Sequence, residues 1–162
     1  MSCKIIIGLN TAWNLYNFRS GLIRTLVSQN YEVVTFAPAD DYVEKVEKLG
    51  CRFISVNMDQ KGVNIFSDLL LIFKVFCLFR KEKPDLFLGY TIKPNIYGSI
   101  VSYLCGVKYI NNVAGLGSVF GEKGWLQKLV KKLYTLAFTK SSMVFFQNAE
   151  DLEYFMEVKI VN

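Results

Sequence analysis

Histidine is absent from the 162 residues. Every Ser-His-Asp or Cys-His triad, every HExxH zinc site and every imidazole general base is thereby excluded, so any proton transfer falls to other groups. Cysteine is sparse and scattered: Cys3, Cys51, Cys77 and Cys105 form no CxxC or similar ligand spacing, and no metal is expected. Each lies in or beside an apolar run, which predicts free thiols packed as small core residues in a reducing, cytoplasmic compartment. No apolar run is long enough to span a bilayer, because the longest, residues 63–79, is broken by Asp68 and Lys74 and diluted by Asn64 and Ser67. The N-terminus is too short before its first apolar run for a signal peptide, and no N-x-S/T sequon occurs.

What is present describes one globular domain. The chain is 52% apolar and 20% charged, with 19 basic and 14 acidic side chains and a formal charge of +5. A chain of about 150 residues buries close to 70% of its unfolded surface, enough for a sizeable core. Short β-rich runs at 4–9, 32–37, 51–58, 85–90, 108–113 and 143–146 alternate with helix-length patterns at 17–29, 43–49, 63–79, 94–104, 125–139 and 149–155. That alternation predicts an α/β fold with an open, doubly wound, mostly parallel Rossmann-like sheet, whose ligand crevice lies at the carboxyl ends of the strands. The helix over 63–79 carries almost no polar face and is expected to be covered on several sides.

The strand-end loops are therefore the place to look for chemistry. No GxxxxGK[ST] occurs, and Asn10 to Asn14 after the first strand contain no glycine, so a nucleotide in the ordinary Rossmann position is not expected. Gly115-Leu116-Gly117 with Gly121 is one residue out of step with the dinucleotide fingerprint and follows the fifth strand instead of the first. Its glycines can expose backbone N–H groups to an anion such as phosphate, or only turn the chain. Lys93, with Thr91 and Asn95 beside it, can hold a phosphate or sugar hydroxyls, or be a solvated lysine at a helix start. Trp13 and Tyr90 can offer their faces to a sugar or prenyl chain, or simply pack. Asn148, in the loop after the sixth strand, completes the candidate set.

Charge is concentrated in one segment. Residues 122–140 hold five lysines against one acid, and so carry +4 of the chain's +5. Trp125, Leu126, Leu129, Val130, Leu133 and Leu136 make the same segment a basic amphipathic helix, suited to an anionic membrane surface through Trp125, Lys128, Lys131 and Lys132, or to ordinary packing on a sheet. Nucleic acid is not expected as a partner, since the rest of the chain carries only +1 and no RRM, KH or zinc-finger pattern occurs.

Taken together, the run Tyr90-Thr91-Ile92-Lys93-Pro94-Asn95-Ile96-Tyr97-Gly98-Ser99, the segment from Gly106-Val107 to Ala114-Gly115-Leu116-Gly117-Ser118-Val119-Phe120, and Phe146-Gln147-Asn148-Ala149-Glu150-Asp151 resemble the N-terminal half of family 4 glycosyltransferases. The resemblance runs from Lys4 to the end of the chain and is nearest to bacterial members that extend lipid-linked oligosaccharides for capsule, O-antigen or glycoprotein glycans. It implies a GT-B architecture of two Rossmann-like domains, the first holding the acceptor and the second the nucleotide-sugar. This chain ends near where the first would hand over to the second, and the donor-side pair of glutamates eight positions apart has no counterpart.

The resemblance further implies transfer of a hexose-type sugar to a glycan or lipid-linked acceptor, with the nucleotide-sugar as co-substrate and no other cofactor. Asn10, Trp13, Tyr90, Thr91, Lys93, Asn95, Gly115, Gly117 and Asn148 would line the acceptor side. The leaving nucleotide's β-phosphate would carry much of the acid-base work, and peripheral contact with the inner face of the plasma membrane would bring the acceptor close. Two departures stand out. Ala114 replaces a histidine that many relatives carry before the Gly-Leu-Gly loop, and Asn10 to Asn14 replace a glycine-rich turn. The 162 residues alone are expected not to turn over. A non-catalytic docking subunit of a split glycosyltransferase, or a generic Rossmann binding module, remain as alternatives.

Overall fold

The structure is a computed structural model that describes residues 2–59, 64–115 and 124–161. The first strand, β1 (Lys4–Gly8), is apolar at successive positions and buried on both faces: Ile6 meets one helical layer, Ile5 and Ile7 the other. Such a run is what a parallel strand covered on both sides requires. With β2 (Glu32–Ala37), β3 (Arg52–Ser55), β4 (Leu86–Tyr90), β5 (Lys108–Val113) and β6 (Met143–Phe146) it forms an all-parallel sheet in the order β3-β2-β1-β4-β5-β6. Ile6 lies in register with Val34 on one side and Phe87 on the other.

Helices α1 (Ala12–Ser28) and α2 (Val43–Glu47) cover one face. The other carries α3 (Ile65–Glu82), α4 (Ser99–Cys105) and α5 (Trp125–Phe138), while α6 (Ala149–Glu157) seats Phe155 against Tyr134 and Phe138 of α5. A π-helical turn, Pro94–Gly98, leads into α4. The chain winds outward from β1 to β3, then returns to β4 on the opposite side of β1. Connections leaving β1 and β4 therefore diverge to opposite faces and open a crevice at their carboxyl ends.

Two boundaries differ from those expected. Helix α1 begins at Ala12 instead of about residue 17, because Thr11 caps it: its Oγ1 accepts from the Asn14 backbone N–H at 2.9 Å. The side chains of Asn14 and Asn17 bond back to Asn10 Oδ1 and the Trp13 carbonyl, which satisfies these poor helix formers within the helix. Strand β3 ends at Ser55, and Val56 to Asp59 run on as loop.

Helix α3 departs most from expectation. Its inner stripe, Leu71, Val75, Leu78 and Phe79, is buried in the core, but Ile65, Phe66, Leu69, Leu70 and Phe73 are exposed, Phe66 at 85%. Among the described residues one layer, the sheet with α4, lies against it, so a helix apolar on most sides leaves these residues exposed. Cys77 shares that exposure, whereas Cys51 is buried and Cys3 and Cys105 are half-buried.

Candidate functional site

A cavity of about 220 Å³ opens at the switch between β1 and β4. Asn10 follows β1, Met58 and Asp59 follow β3, Thr91, Ile92 and Lys93 follow β4, and Ala114 and Gly115 follow β5; these residues line it. Four of the residues singled out from the sequence, Asn10, Thr91, Lys93 and Gly115, thus converge. Met58 and Asp59 were missed because the apolar pattern carried the third strand through Met58.

The backbone turns sharply around this cavity. Thr91 adopts a left-handed conformation with φ 61°, costly for a β-branched residue, and its Oγ1 donates to the Tyr90 carbonyl at 2.5 Å. Gly115 takes φ 107°, where a side chain would be strained. The Lys93 ammonium donates to Asp68 Oδ1 at 2.7 Å, joining the turn after β4 to the first turns of α3. Both side chains are largely buried, at 14% and 8% exposure. Tyr97 lies nearby, its hydroxyl pushed well above its usual pKa by burial first and by the Asp68 carboxylate second.

The remaining candidates lie elsewhere. Tyr90 is buried on the α1 side beneath the Arg19 guanidinium, 4.2 Å from its ring centroid, and burial raises its pKa. Asn95 is fully buried and donates to the Asn112 carbonyl, as a strut of the fold. Trp13 sits in the first turn of α1, its ring edge-on to Phe18 and Tyr42. Asn148 caps α6, its Oδ1 accepting from Asp151 N–H at 2.7 Å. Gly117 lies outside the described residues, as does most of the glycine-rich loop. Among the described residues no cluster of three or more potential metal ligands occurs, and no helix is long and apolar enough to cross a membrane.

The basic helix α5 does not present its whole apolar side outward. Val130, Tyr134, Ala137 and Phe138 are buried in the core and Leu129 and Leu133 are half-buried, so the sheet takes the stripe that an interfacial helix would give to lipid. Trp125, Lys128, Lys132 and Leu136 remain exposed, while the Lys131 ammonium sits 5.2 Å from the Tyr154 ring centroid. In a parallel α/β sheet each helix runs opposite to its strands, which brings the first turns of α3 and α5 to the carboxyl edge where the cavity opens. Both helices pack against the Pro94–Gly98 turn, which follows directly on the cavity's Thr91–Lys93 segment.

This strand order, with a cavity at its switch point, defines a Rossmann-like domain of the kind that GT-B glycosyltransferases contain. A glycosyltransferase from Rickettsia africae ESF-5 superposes with a TM-score of 0.70 at 16% identity, over 99% of this chain and 41% of that one. A UDP-GlcNAc 2-epimerase from Methanocaldococcus jannaschii gives 0.65 at 17% identity, over 99% and 43%. The chain belongs to the glycosyl transferase 4-like family, which matches residues 5–148. It is 26% identical over 146 residues to the N,N'-diacetylbacillosaminyl-diphospho-undecaprenol alpha-1,3-N-acetylgalactosaminyltransferase of Campylobacter jejuni subsp. jejuni serotype O:2. That match takes in 87% of this chain and 39% of the relative, so the chain spans about two fifths of the relative's length.

Proposed function

We propose that this chain is the acceptor-side domain of a glycosyltransferase that moves a hexose-type sugar from a nucleotide-sugar to a lipid-linked glycan in bacterial surface polysaccharide assembly. The observation that carries this reading is the cavity between β1 and β4, whose Met58 and Asp59 also line a neighbouring hollow with Leu70 of the exposed apolar side of α3. A lipid-linked sugar has a hydroxylated head and a hydrocarbon tail, and this edge offers a polar pocket beside an apolar surface. The Campylobacter relative is named for a polyprenyl diphosphate-linked acceptor, which supports the same substrate class. The acceptor hydroxyl would attack the anomeric carbon as its bond to the nucleotide diphosphate breaks, the proton passing to the departing phosphate. No histidine is needed for that step. The nucleotide-sugar would be held mainly by a second domain, without which no turnover is expected.

Peripheral attachment at the inner membrane face is part of this reading, supported by exposed residues of two helices: Phe66, Leu69, Leu70 and Phe73 would supply apolar contact, while Trp125, Lys128 and Lys132 would add an aromatic anchor and charge. Co-sedimentation with liposomes tests this. The chain should pellet with anionic liposomes more than with neutral ones, more again when they carry a polyprenyl diphosphate-linked N-acetylhexosamine, and a Lys128/Lys131/Lys132 triple alanine variant should lose the salt-sensitive part. Absence of binding in every arm would contradict the membrane part, and indifference to the lipid-linked sugar would contradict the acceptor part.

A further inference from the structure

Lys93 is the cation among the described residues that line the cavity, and Asp59 is the carboxylate. A lysine at this position reads from sequence as a point charge for a phosphate. The structure changes that reading, because Asp68 holds the ammonium at 2.7 Å from within α3 and both groups are shielded from solvent. The pair is neutral as a unit. An ammonium has three N–H donors. One is committed to Asp68, and the others remain to donate without a net field that would draw an anion. Thr91 complements this, since its hydroxyl proton is directed to the Tyr90 carbonyl and its oxygen is left as an acceptor. Among the described residues, then, the wall has donors and acceptors but no uncompensated positive charge, which fits a hydroxyl-bearing ring and opposes a phosphate.

We propose that Asp68 is a specificity-determining residue: by neutralising Lys93 it sets the cavity against anions and leaves it to uncharged sugar hydroxyls, a role that rests on the acceptor reading of the cavity. Asp68 acts through Lys93 and is therefore a positioning residue. Its removal should produce a gain of function that loss of a merely structural carboxylate would not. In Asp68→Asn the ammonium loses its compensating charge while the side chain keeps its shape, and the cavity becomes an anion site.

The test is an amide NMR titration of the full chain with two probes, inorganic phosphate and methyl N-acetyl-α-D-glucosaminide, following Thr91, Lys93 and Gly115. Phosphate should leave the unmodified chain unshifted and should bind Asp68→Asn at least tenfold more tightly, weakening as salt is raised. The double variant Asp68→Asn/Lys93→Met keeps the site neutral and should lose that gain. If Asp68→Asn does not fold, a phosphate titration of the unmodified chain against Lys93→Gln decides alone: saturable phosphate shifts abolished by Lys93→Gln would overturn the proposal, and no phosphate response in either would uphold it. Equal phosphate affinity in the unmodified chain and Asp68→Asn would also overturn it. The glycoside arm separates the two levels, because a missing glycoside response alongside a phosphate gain in Asp68→Asn would remove the acceptor reading and keep the role of Asp68.

Discussion

Asn111 on β5 donates from Nδ2 to Asn95 Oδ1 at 2.9 Å, joining the turn after β4 to the neighbouring strand through two buried amides. The same nitrogen also reaches Ser99 Oγ at 2.8 Å, and Asn95 donates onward to the Asn112 carbonyl at 2.9 Å. Thr91 and Lys93 therefore project from a segment whose position is fixed by the sheet.

Removing Asn111 leaves the buried Asn95 Oδ1 without this donor, and removing Asn95 takes one acceptor from Asn111 Nδ2 and leaves it Ser99 Oγ. Asn95→Ala and Asn111→Ala are each expected to cost roughly 1–3 kcal/mol, measurable by urea unfolding. Their double variant should cost less than the sum, because each single change already breaks the bond that the two side chains share. Additive losses would show that the two side chains do not act as a pair.

Gly98 lies so close to the Phe87 ring that an added Cβ would collide with it. Alanine is intrinsically the better helix residue by about 1 kcal/mol, but the clash should prevail, making Gly98→Ala destabilising by roughly 1–3 kcal/mol. Phe87→Leu should recover part of that loss. An equal cost in both backgrounds would place the strain elsewhere.

At the amino edge of the sheet, buried Glu82 receives Arg52 and Lys4, which with Arg52 foremost hold its carboxyl at about 2 against an ordinary 4.5. A carboxylate depressed on folding stabilises the native state above its unfolded pKa, and that contribution is lost as pH falls from about 4.5 towards 2. Allowing for the partial exposure of Arg52, it is worth roughly 2 kcal/mol. Urea midpoints at pH 6 and pH 3 should differ less for Glu82→Gln than for the unmodified chain, and parallel pH dependences would contradict the assignment.

The outer side of α3 should behave oppositely to its core side. Because Phe66 and Phe73 are exposed, Phe66→Ser/Phe73→Ser should leave stability within about 0.5 kcal/mol, while liposome binding falls tenfold or more, on the order of burying one Phe. A large loss of stability with binding intact would mean that these rings pack within the fold.

Strands were the most legible elements. Ile5 to Ile7 is an uninterrupted apolar run and Val33 to Phe36 is broken only by Thr35, and in a sheet covered on both faces that pattern has few other solutions. Loop polarity was a poorer guide. Thr91, Lys93, Asn95 and Asn148 look alike as polar residues at strand ends, yet two line the cavity, one is a buried strut and one caps a helix. What separates them is a partner distant in sequence, Asp68 for Lys93 and Asn111 for Asn95. The apolar excess of α3 was visible but not its direction, because composition does not tell how many layers will cover a helix.

The most direct test of acceptor binding is photo-crosslinking of the chain with a polyprenyl diphosphate-linked N-acetylhexosamine that bears its reactive group on the sugar, read by peptide mass spectrometry. Labelling confined to the segments holding Thr91 to Lys93 and Ala114 to Gly115, and competed by the unlabelled lipid-linked sugar, is the predicted result. Competed labelling on α1 or α2, with those segments unmodified, would contradict the account.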